Sequence, residues 1–455
     1  MTESLVSEPV ISESDRDASL PGVSVQIADL LTGTKLRHPL LNSAGVLLVA
    51  EGTTITSQLK QRIASYGKDN VRINPDDLGN VTLDVSDIEG RQTVGTTSEL
   101  IERLDSIIDQ GVLLVKNDGP AMQGQMVSNG RKPFDASRRE ELLTQHQATR
   151  ESLDSMMREV GHGQELNGKQ IAQLVATYLT DMAEDNEHVL SIAMSADKQG
   201  LSERALQTSL MAMTIGVEMG FDVSNVRLLG ICGLVHDWGM TRVPEEILSK
   251  SGRLTEIEFL EIQKHPIHTL DILTLISGIP GIVPLVVYQV HESLNGTGYP
   301  RGRKGSSIHP FARILHVVDV YTALTSPRSY RNPIMPYGAV ECLLQLASKR
   351  VLDSKVITAL LNAFSLFPIG SFVTLDDASV AQVLRPNRGK FDRPIVQLVR
   401  DSQGQKVPVS DDSIIDLATS ERQVVQAIPT PGRNEIPYSK DVLTGSACHQ
   451  YRDQA

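Results

Sequence analysis

The chain has 455 residues, which is enough for two to four domains. Its apolar fraction of 40% supports buried cores, whereas 4% aromatic residues are too few to favour stacking platforms for single-stranded nucleic acid. The net charge of −12 disfavours non-specific binding to DNA, so we expect no DNA partner.

The cysteines and the hydropathy pattern point to a reducing compartment. Cys232, Cys342 and Cys448 are far apart and form no CxxC pair, which argues against a zinc ribbon and a disulfide framework. Cys232 and Cys342 lie in apolar helical patterns and are predicted to be core residues. The first twenty residues resemble no secretory signal, and no apolar run approaches 18 residues. We therefore expect a cytoplasmic protein without a membrane span.

The composition and hydropathy pattern change twice in the N-terminal part of the chain. Residues 1–21 are acidic and Ser-rich, which predicts a disordered tail. Residues 22–75 hold short apolar segments between glycines and predict a small β-rich module. Residues 76–200 are interpreted as a linker and helical segment, with helices over 137–160 and 167–196 and with Asp135 or Ser137 as an N-cap. This helix pair fits a signalling lever or a dimer surface, but we favour plain packing.

The sequence after residue 200 predicts a helical domain followed by strands. Residues 201–367 have helical periodicity, with helices expected at 226–238, 283–291 and 311–324 among others. Residues 368–428 predict a second small β module with strands at 371–375, 380–384, 394–400 and 413–417. Residues 429–455 are interpreted as a flexible tail. The predicted fold class is α+β and multidomain, with a central all-α bundle flanked by small β-rich modules.

Five ionisable residues stand out within the helical domain. Such side chains are costly beside buried helical faces unless they are paired or bind a metal. Ligands that project inward from several helices commonly build a metal site in a bundle, and imidazole and carboxylate suit first-row ions. The pattern therefore predicts a metal site formed by His236, Asp237, His265, His291 and Asp319. For His309 and His316, which also lie in this region, we favour a structural role.

These residues belong to a longer series of motifs in a fixed order. The series comprises His236-Asp237 with Gly239, Lys264-His265-Pro266, His291-Glu292, Asn295-Gly296-Thr297-Gly298-Tyr299-Pro300, Asp319-Val320-Tyr321-Thr322-Ala323-Leu324-Thr325 and Arg328-Ser329-Tyr330-Arg331. It resembles the HD-GYP family of bacterial HD-superfamily phosphohydrolases, many of which hydrolyse cyclic di-GMP.

The resemblance implies a metal-dependent phosphodiesterase of bacterial second-messenger signalling, built on an HD-type helical bundle. It implies two or three divalent ions, usually iron or manganese, on the five residues named above, with Asp237 as the bridging and catalytic carboxylate. Arg328 and Arg331 would bind phosphate, and Gly298, Tyr299 and Pro300 would form a loop at the pocket mouth. We interpret Glu292 as a residue that orients His291 rather than as a catalytic acid.

The chain also departs from the family pattern at four positions. Met240 replaces the usual lysine after the HDxG motif, and Val290 replaces the first histidine of a His-His-Glu motif. Thr322 occupies a position where aspartate is common, and Arg204 or a neighbouring residue stands where an upstream histidine is expected. Two hypotheses follow. One is an active phosphodiesterase that acts on a cyclic dinucleotide. The other is a catalytically degenerate domain that binds a nucleotide or a signalling protein, and a homodimer is compatible with both.

Overall fold

The computed structural model describes residues 23–27, 30, 36–42, 46–56, 59–60, 62–63, 70–74, 77, 97–111, 113–195, 200–327 and 331–437. The chain forms two compact units, Met1–Asp87 and Ile88–Ala455. Antiparallel sheets and a large helical region together give an α+β fold, which confirms the predicted fold class. No helix in these described ranges is long and apolar enough to cross a membrane.

The first unit contains a four-stranded antiparallel sheet in the order β1-β4-β2-β3. Its strands are β1 (Val23–Gln26), β2 (Leu40–Asn42), β3 (Leu47–Val49) and β4 (Asn70–Ile73). One apolar cluster, which includes Val25, Leu40 and Val71, forms its core.

Helices dominate the second unit up to residue 364. They are α1 (Thr97–Asp109), α2 (Ala136–Gly161), α3 (Gly168–Ser195), α4 (Leu201–Glu218), α5 (Val223–Val235), α6 (Glu245–Leu248), α7 (Glu256–Ile262), α8 (His265–Leu273), α9 (Ile282–Val287), α10 (Pro310–Thr325), α11 (Pro336–Ser348) and α12 (Ser354–Phe364). The Asp135 side chain accepts a hydrogen bond from the Arg138 amide, which confirms the N-cap predicted for α2. Cys232 and Cys342 are fully buried, as predicted, whereas Cys448 lies outside the described residues.

Two helices are shorter than the sequence pattern predicts. The helix expected over 226–238 ends at Val235, and a 3₁₀ turn, Trp238–Arg242, follows. The helix expected over 283–291 ends at Val287. The carbonyl oxygen of His291 accepts the amide of Tyr299 instead of a helical amide. Both corrections arise from tertiary contacts, which apolar periodicity does not encode.

The C-terminal sheet is antiparallel, with the order β10-β9-β8-β7-β11. Its strands are β7 (Phe372–Leu375), β8 (Val380–Arg385), β9 (Ile395–Arg400), β10 (Ile414–Asp416) and β11 (Val424–Ile428), while a separate parallel pair joins β5 (Leu166–Asn167) to β6 (Ile276–Ser277). The four predicted strands of this sheet are confirmed within a few residues. Sequence analysis did not predict the edge strand β11, whose side chains are half-buried or exposed and show no alternation.

A buried arginine joins this sheet to the helices. The Arg385 guanidinium donates to both carboxylate oxygens of Asp185, at 2.7 and 2.8 Å, and to Glu187 at 2.8 Å. It also lies 4.9 Å from the centre of the Phe134 ring, and His188 stacks on that ring. Arg385 is 3% exposed, so its charge depends on these partners for solvation.

Candidate metal centre

The turn after α5 packs directly on the start of α8. A Cβ atom at Gly239 would overlap the carbonyl oxygen of His265 and the Thr269 backbone, so only glycine fits there. The Gly239 amide donates to Thr269 Oγ1 at 2.9 Å, and that hydroxyl donates to the His265 carbonyl oxygen at 2.9 Å. This contact brings His265 beside Asp237, with 3.2 Å between His265 Nε2 and Asp237 Oδ1.

All five residues predicted as metal ligands converge. Asp237 Oδ1 lies 3.5 Å from His236 Nε2 and 3.6 Å from His291 Nε2. Asp319 Oδ2 lies 3.6 Å from His291 Nδ1. The five side chains come from the end of α5, the start of α8, the turn after α9 and the middle of α10, so the cluster exists only in the folded bundle.

The hydrogen bonds behind the imidazoles fix where their lone pairs point. His236 Nδ1 lies 2.8 Å from the Gly233 carbonyl oxygen, and His265 Nδ1 lies 2.8 Å from that of Ile262. A carbonyl oxygen only accepts, so each Nδ1 carries the proton and each Nε2 of the neutral ring presents a lone pair. The Nε2 lone pair of His265 thus faces the Asp237 carboxylate and His291 Nε2, which is 2.7 Å away. Several acceptors that converge in this way need a cation or a proton among them.

Three buried atoms of the cluster have no hydrogen-bond partner among the described residues. They are His236 Nε2, Asp237 Oδ1 and His291 Nδ1. Buried polar atoms without partners are rare in native proteins and mark functional sites or unplaced ions. A set of imidazole nitrogens and carboxylate oxygens also suits borderline first-row metals. On both grounds the residues fit the metal centre that the family resemblance implies.

The ligand atoms form two groups that share one carboxylate. Asp237, His265 and His291 make one group, and His236, Asp237 and Asp319 make the other; within each group the ligand atoms lie within 4.8 Å of one another. The side chains of Asp237 and Asp319 are 17% and 18% exposed, whereas the imidazoles are at most 5% exposed. The carboxylates therefore lie on the solvent side of the cluster, where a ligand would enter.

Protonation equilibria in the cluster are shifted in several directions. Burial alone would raise the pKa of Asp237, but His236 and the contacts with His265 and His291 outweigh it and hold that pKa well below its usual range. Burial lowers the pKa of His291. For His265 burial acts the same way, but the Asp237 carboxylate outweighs it and raises the pKa. The carboxylate is thus ionised and ready to accept a cation.

The loop with Gly298, Tyr299 and Pro300 lies against His291. The Tyr299 ring stacks on the His291 imidazole, with 4.9 Å between ring centres and 9° between planes. A Cβ atom at Gly298 would overlap the backbone of residues 291–293. The Tyr299–Pro300 peptide bond is cis. Desolvation raises the pKa of the Tyr299 hydroxyl well above its usual value, and the carboxylates of Asp319 and Asp237 add to the rise, so the hydroxyl stays neutral.

Glu292 contacts this loop rather than the imidazole. Its carboxylate accepts the amides of Arg301 and Arg303, both at 2.7 Å. Burial raises the pKa of Glu292, and these amides oppose the rise. The role of Glu292 in orienting His291 stays a prediction, and the described contacts of its carboxylate are with the loop.

Arg328 and Arg331 are the two arginines predicted to bind phosphate. Arg328 lies outside the described residues. The Arg331 guanidinium donates to the carbonyl oxygens of Ala323 and Leu324 at 3.0 Å each, at the end of α10. In this structure Arg331 stabilises a helix end, and phosphate binding by either arginine stays a prediction.

Two of the departures from the family pattern adjoin ligand residues in the chain, since Val290 precedes His291 and Thr322 follows Asp319 by three residues. Val290 is 1% exposed, so an apolar side chain fills the position of the missing histidine. Thr322 is buried and its hydroxyl donates to the Asp319 carbonyl oxygen at 3.0 Å. These residues offer hydrophobic contact and a neutral hydroxyl rather than further imidazole or carboxylate ligands.

The histidines predicted to be structural are buried and neutral. Burial lowers the pKa of His309 to about 4 and that of His316 to about 3. His309 Nδ1 accepts the Phe311 amide at 3.1 Å and caps α10. Sequence reasoning did not identify Thr269, which fixes the turn at Gly239. Its position four residues after His265, on the same face of α8, was the available signal.

Comparisons with known proteins agree with this geometry. A family model described as an HD domain matches residues 188–356. A cyclic di-GMP phosphodiesterase of Pseudomonas aeruginosa is 28% identical over 266 residues, 58% of this chain and 63% of that protein. A 3'3'-cGAMP-specific phosphodiesterase of Vibrio cholerae is 33% identical over 182 residues, 39% of this chain and 42% of that protein. The chain thus spans about two to three fifths of these relatives.

A solved structure of an HD-GYP-type protein of Bdellovibrio bacteriovorus, described as Bd1817, is also similar to the chain. It is 15% identical, with a TM-score of 0.37, and the match covers 74% of this chain and 97% of that one. The family model thus identifies similarity to an HD domain over residues 188–356, and the chain is similar to phosphodiesterases that act on cyclic dinucleotides.

Proposed function

We propose that the chain is a metal-dependent phosphodiesterase that hydrolyses a cyclic dinucleotide, cyclic di-GMP first among them. The observation that carries this proposal is the set of lone pairs that converge on Asp237 Oδ1, a buried atom with no hydrogen-bond partner among the described residues. The relatives named for cyclic di-GMP and 3'3'-cGAMP support the substrate class.

The five ligand residues would hold divalent ions, for which we propose iron or manganese. When bound, such ions activate water and stabilise the negative charge that develops on a phosphodiester during its hydrolysis. Asp237 belongs to both ligand groups, so we assign it the bridging and catalytic role. The carbonyl oxygens of Gly233 and Ile262 hold His236 and His265 in the tautomer that ligation requires.

The substrate would approach from the carboxylate side. Asp237 and Asp319 are the partly exposed members of the cluster, whereas Tyr299 covers one face of His291 and excludes water there. We propose Arg328 and Arg331 as phosphate contacts. For Arg331 this role requires exchange of its bonds to the end of α10.

The alternative is a catalytically degenerate domain that binds a nucleotide or a signalling protein. The observation that favours it is the replacement at two positions, because Met240 cannot contact a phosphate electrostatically and the buried Val290 cannot ligate a metal. Hydrolysis separates the two functions, since a degenerate domain would bind the nucleotide without turnover.

The test is hydrolysis of cyclic di-GMP and 3'3'-cGAMP by purified protein in Mn²⁺ or Fe²⁺, with products resolved by chromatography. Asp237→Asn keeps the side-chain shape and removes the bridging charge, and we expect it to reduce turnover at least about 100-fold. Glu341→Gln, at an exposed carboxylate on α11, is the control and should retain full activity. Nucleotide binding without turnover in the wild-type protein would favour the degenerate domain.

A further inference from the structure

Helix α1 lies outside the segment that matches the HD domain, yet it packs behind two ligand-bearing elements. Its residues Leu104 and Ile108 are buried in an apolar cluster with Leu270 of α8 and with Leu285 and Tyr288. Helix α8 begins at His265, and Tyr288 lies three residues before His291. The apolar face of α1 is therefore fixed to both elements that supply these imidazoles.

The polar face of α1 holds the loop that follows Pro300. Asp105 accepts hydrogen bonds from the guanidinium of Arg301 at 2.8 Å and from that of Arg303 at 2.6 Å. Asp109 accepts a second bond from Arg303 at 2.5 Å. The Asp105 and Arg303 side chains are 21% and 13% exposed, whereas Asp109 is 68% exposed. Since exposed ion pairs contribute little, Asp105 provides the stronger hold on the loop.

The same loop is tied to His291 from its other side. The amides of Arg301 and Arg303 donate to the carboxylate of Glu292, the residue after His291. The Tyr299 amide donates to the His291 carbonyl oxygen at 3.1 Å, and the Tyr299 ring stacks on the imidazole. The backbone of residues 299–303 thus lies between the carboxylate of Asp105 and the backbone of His291.

The loop also borders open space. A cavity of about 450 Å³ is lined by Asp105, Asp109, Arg301, Gly302, Arg303 and Ser307. Side chains beside such a cavity can move without displacing packed neighbours. On that side the guanidinium groups and the loop are held by the ion pairs to α1 and by the bond from Arg301 Nε to the Tyr288 hydroxyl at 2.7 Å, rather than by close packing.

We infer that Asp105 is a positioning residue for the metal centre, which acts on His291 through the loop of residues 299–303. This inference rests on the proposed function in assigning His291 a metal-binding role. Its structural part, that Asp105 holds the loop against His291, is independent of that role. The ligand that His291 would bind is a divalent first-row cation. Loss of the contact between Asp105 and the loop would therefore reduce turnover more than substrate affinity.

The test compares Asp105→Ala and Asp105→Asn with Glu102→Ala, which removes an exposed carboxylate from the same helix. Hydrogen–deuterium exchange of a peptide that contains residues 292–303 reads the loop directly, without metal. Titration with Mn²⁺ measures the metal affinity of the cluster. The kcat and KM for cyclic di-GMP measure the effect on catalysis. Circular dichroism confirms that each variant is folded, and Asp105→Asn serves if Asp105→Ala fails to fold.

We expect faster exchange of that peptide in both Asp105 variants, about tenfold weaker Mn²⁺ binding, and a lower kcat with little change in KM. Glu102→Ala should match the wild-type protein in each measurement. Unchanged exchange in both folded Asp105 variants would overturn the inference. Faster exchange in a protein whose wild-type form binds no Mn²⁺ would instead refute the proposed function and leave the positioning contact established.

Discussion

Replacing Gly298 by alanine tests how closely the loop must approach the metal-binding segment. The added Cβ atom would lie 2.6 Å from Glu292 Cα and closer still to the His291 carbonyl oxygen and the Ser293 amide. All three neighbours are backbone atoms, so no side-chain rotation can relieve the overlap. The φ angle of Gly298 lies outside the left-handed region, and the cost is therefore one of contact rather than of backbone strain.

The structure sets the size of the effect. Ordinary contacts of a Cβ atom begin near 3.4 Å and the closest backbone atoms would lie about 1 Å inside that distance, so the Gly298 loop and the backbone of residues 291–293 must separate by about 1 Å. Overpacking of this kind costs about 1–3 kcal/mol of folding free energy. Because a misplacement of about 1 Å at a catalytic group can cost about 100-fold in rate, a shifted His291 should also weaken metal binding and turnover.

Urea denaturation gives the stability of the Gly298→Ala variant. Trp238 is the single tryptophan and is fully buried beside Asp237, so its fluorescence reports unfolding of the helical domain. The matched control is Gly252→Ala, where a Cβ atom meets nothing within 4 Å; its stability should stay equal or rise by up to about 1 kcal/mol. If the Gly298→Ala variant had the same stability and the same Mn²⁺ affinity as the wild-type protein, the close approach of the Gly298 loop to the backbone of residues 291–293 would be refuted.

Two further predictions concern stability. Arg385→Met leaves Asp185 and Glu187 without their shared cation and should lower the free energy of unfolding by about 3 kcal/mol, measured by urea denaturation. The pKa of His309 is about 4 in the folded chain and 6.5 in the ordinary imidazole, so the unfolded chain binds more protons between these values. The share of the stability of the metal-free protein that depends on His309 should therefore be fully present above pH 6.5 and fall by about 3 kcal/mol toward pH 4. His309→Asn should remove this share of the fall while it keeps a capping acceptor.

Each of these predictions has a control within the chain. Arg388 is 55% exposed and pairs with Glu218, so Arg388→Met should cost less than about 1 kcal/mol. Equal costs at Arg385 and Arg388 would contradict the importance of the buried junction. His162 is exposed, and His162→Asn should keep the wild-type pH dependence. A pH profile of His309→Asn identical to that of the wild-type protein would show that His309 is not responsible.

The sequence predicted those features that local patterns encode. Apolar periodicity indicated the helices that carry the ligands, and the N-cap at Asp135 followed from its side chain alone. The ordered motifs placed His236, Asp237, His265, His291 and Asp319 in one cluster, and the structure brings them together. Their roles as ligands remain proposals until metal is measured.

Long-range contacts were outside the reach of such patterns. Asp105 and Arg301 are 196 residues apart, and neither charge is distinguishable in sequence from an ordinary surface residue. Glu292 was expected to act on His291, but its carboxylate meets amides of a loop whose path only the tertiary structure reveals. Helical spacing predicts α5 through Trp238, because Trp238 lies one turn after Leu234, whereas the approach of Gly239 to α8 ends the helix at Val235.

Metal content tests the central claim most directly. Protein purified without chelator and analysed by inductively coupled plasma mass spectrometry should contain about two iron or manganese ions per chain, one for each ligand group that shares Asp237. Asp237→Ala should lose them, whereas Glu341→Gln should keep them. Less than one ion per wild-type chain, with the same content in Asp237→Ala, would contradict the account, because the converging lone pairs would then be neutralised by protons alone.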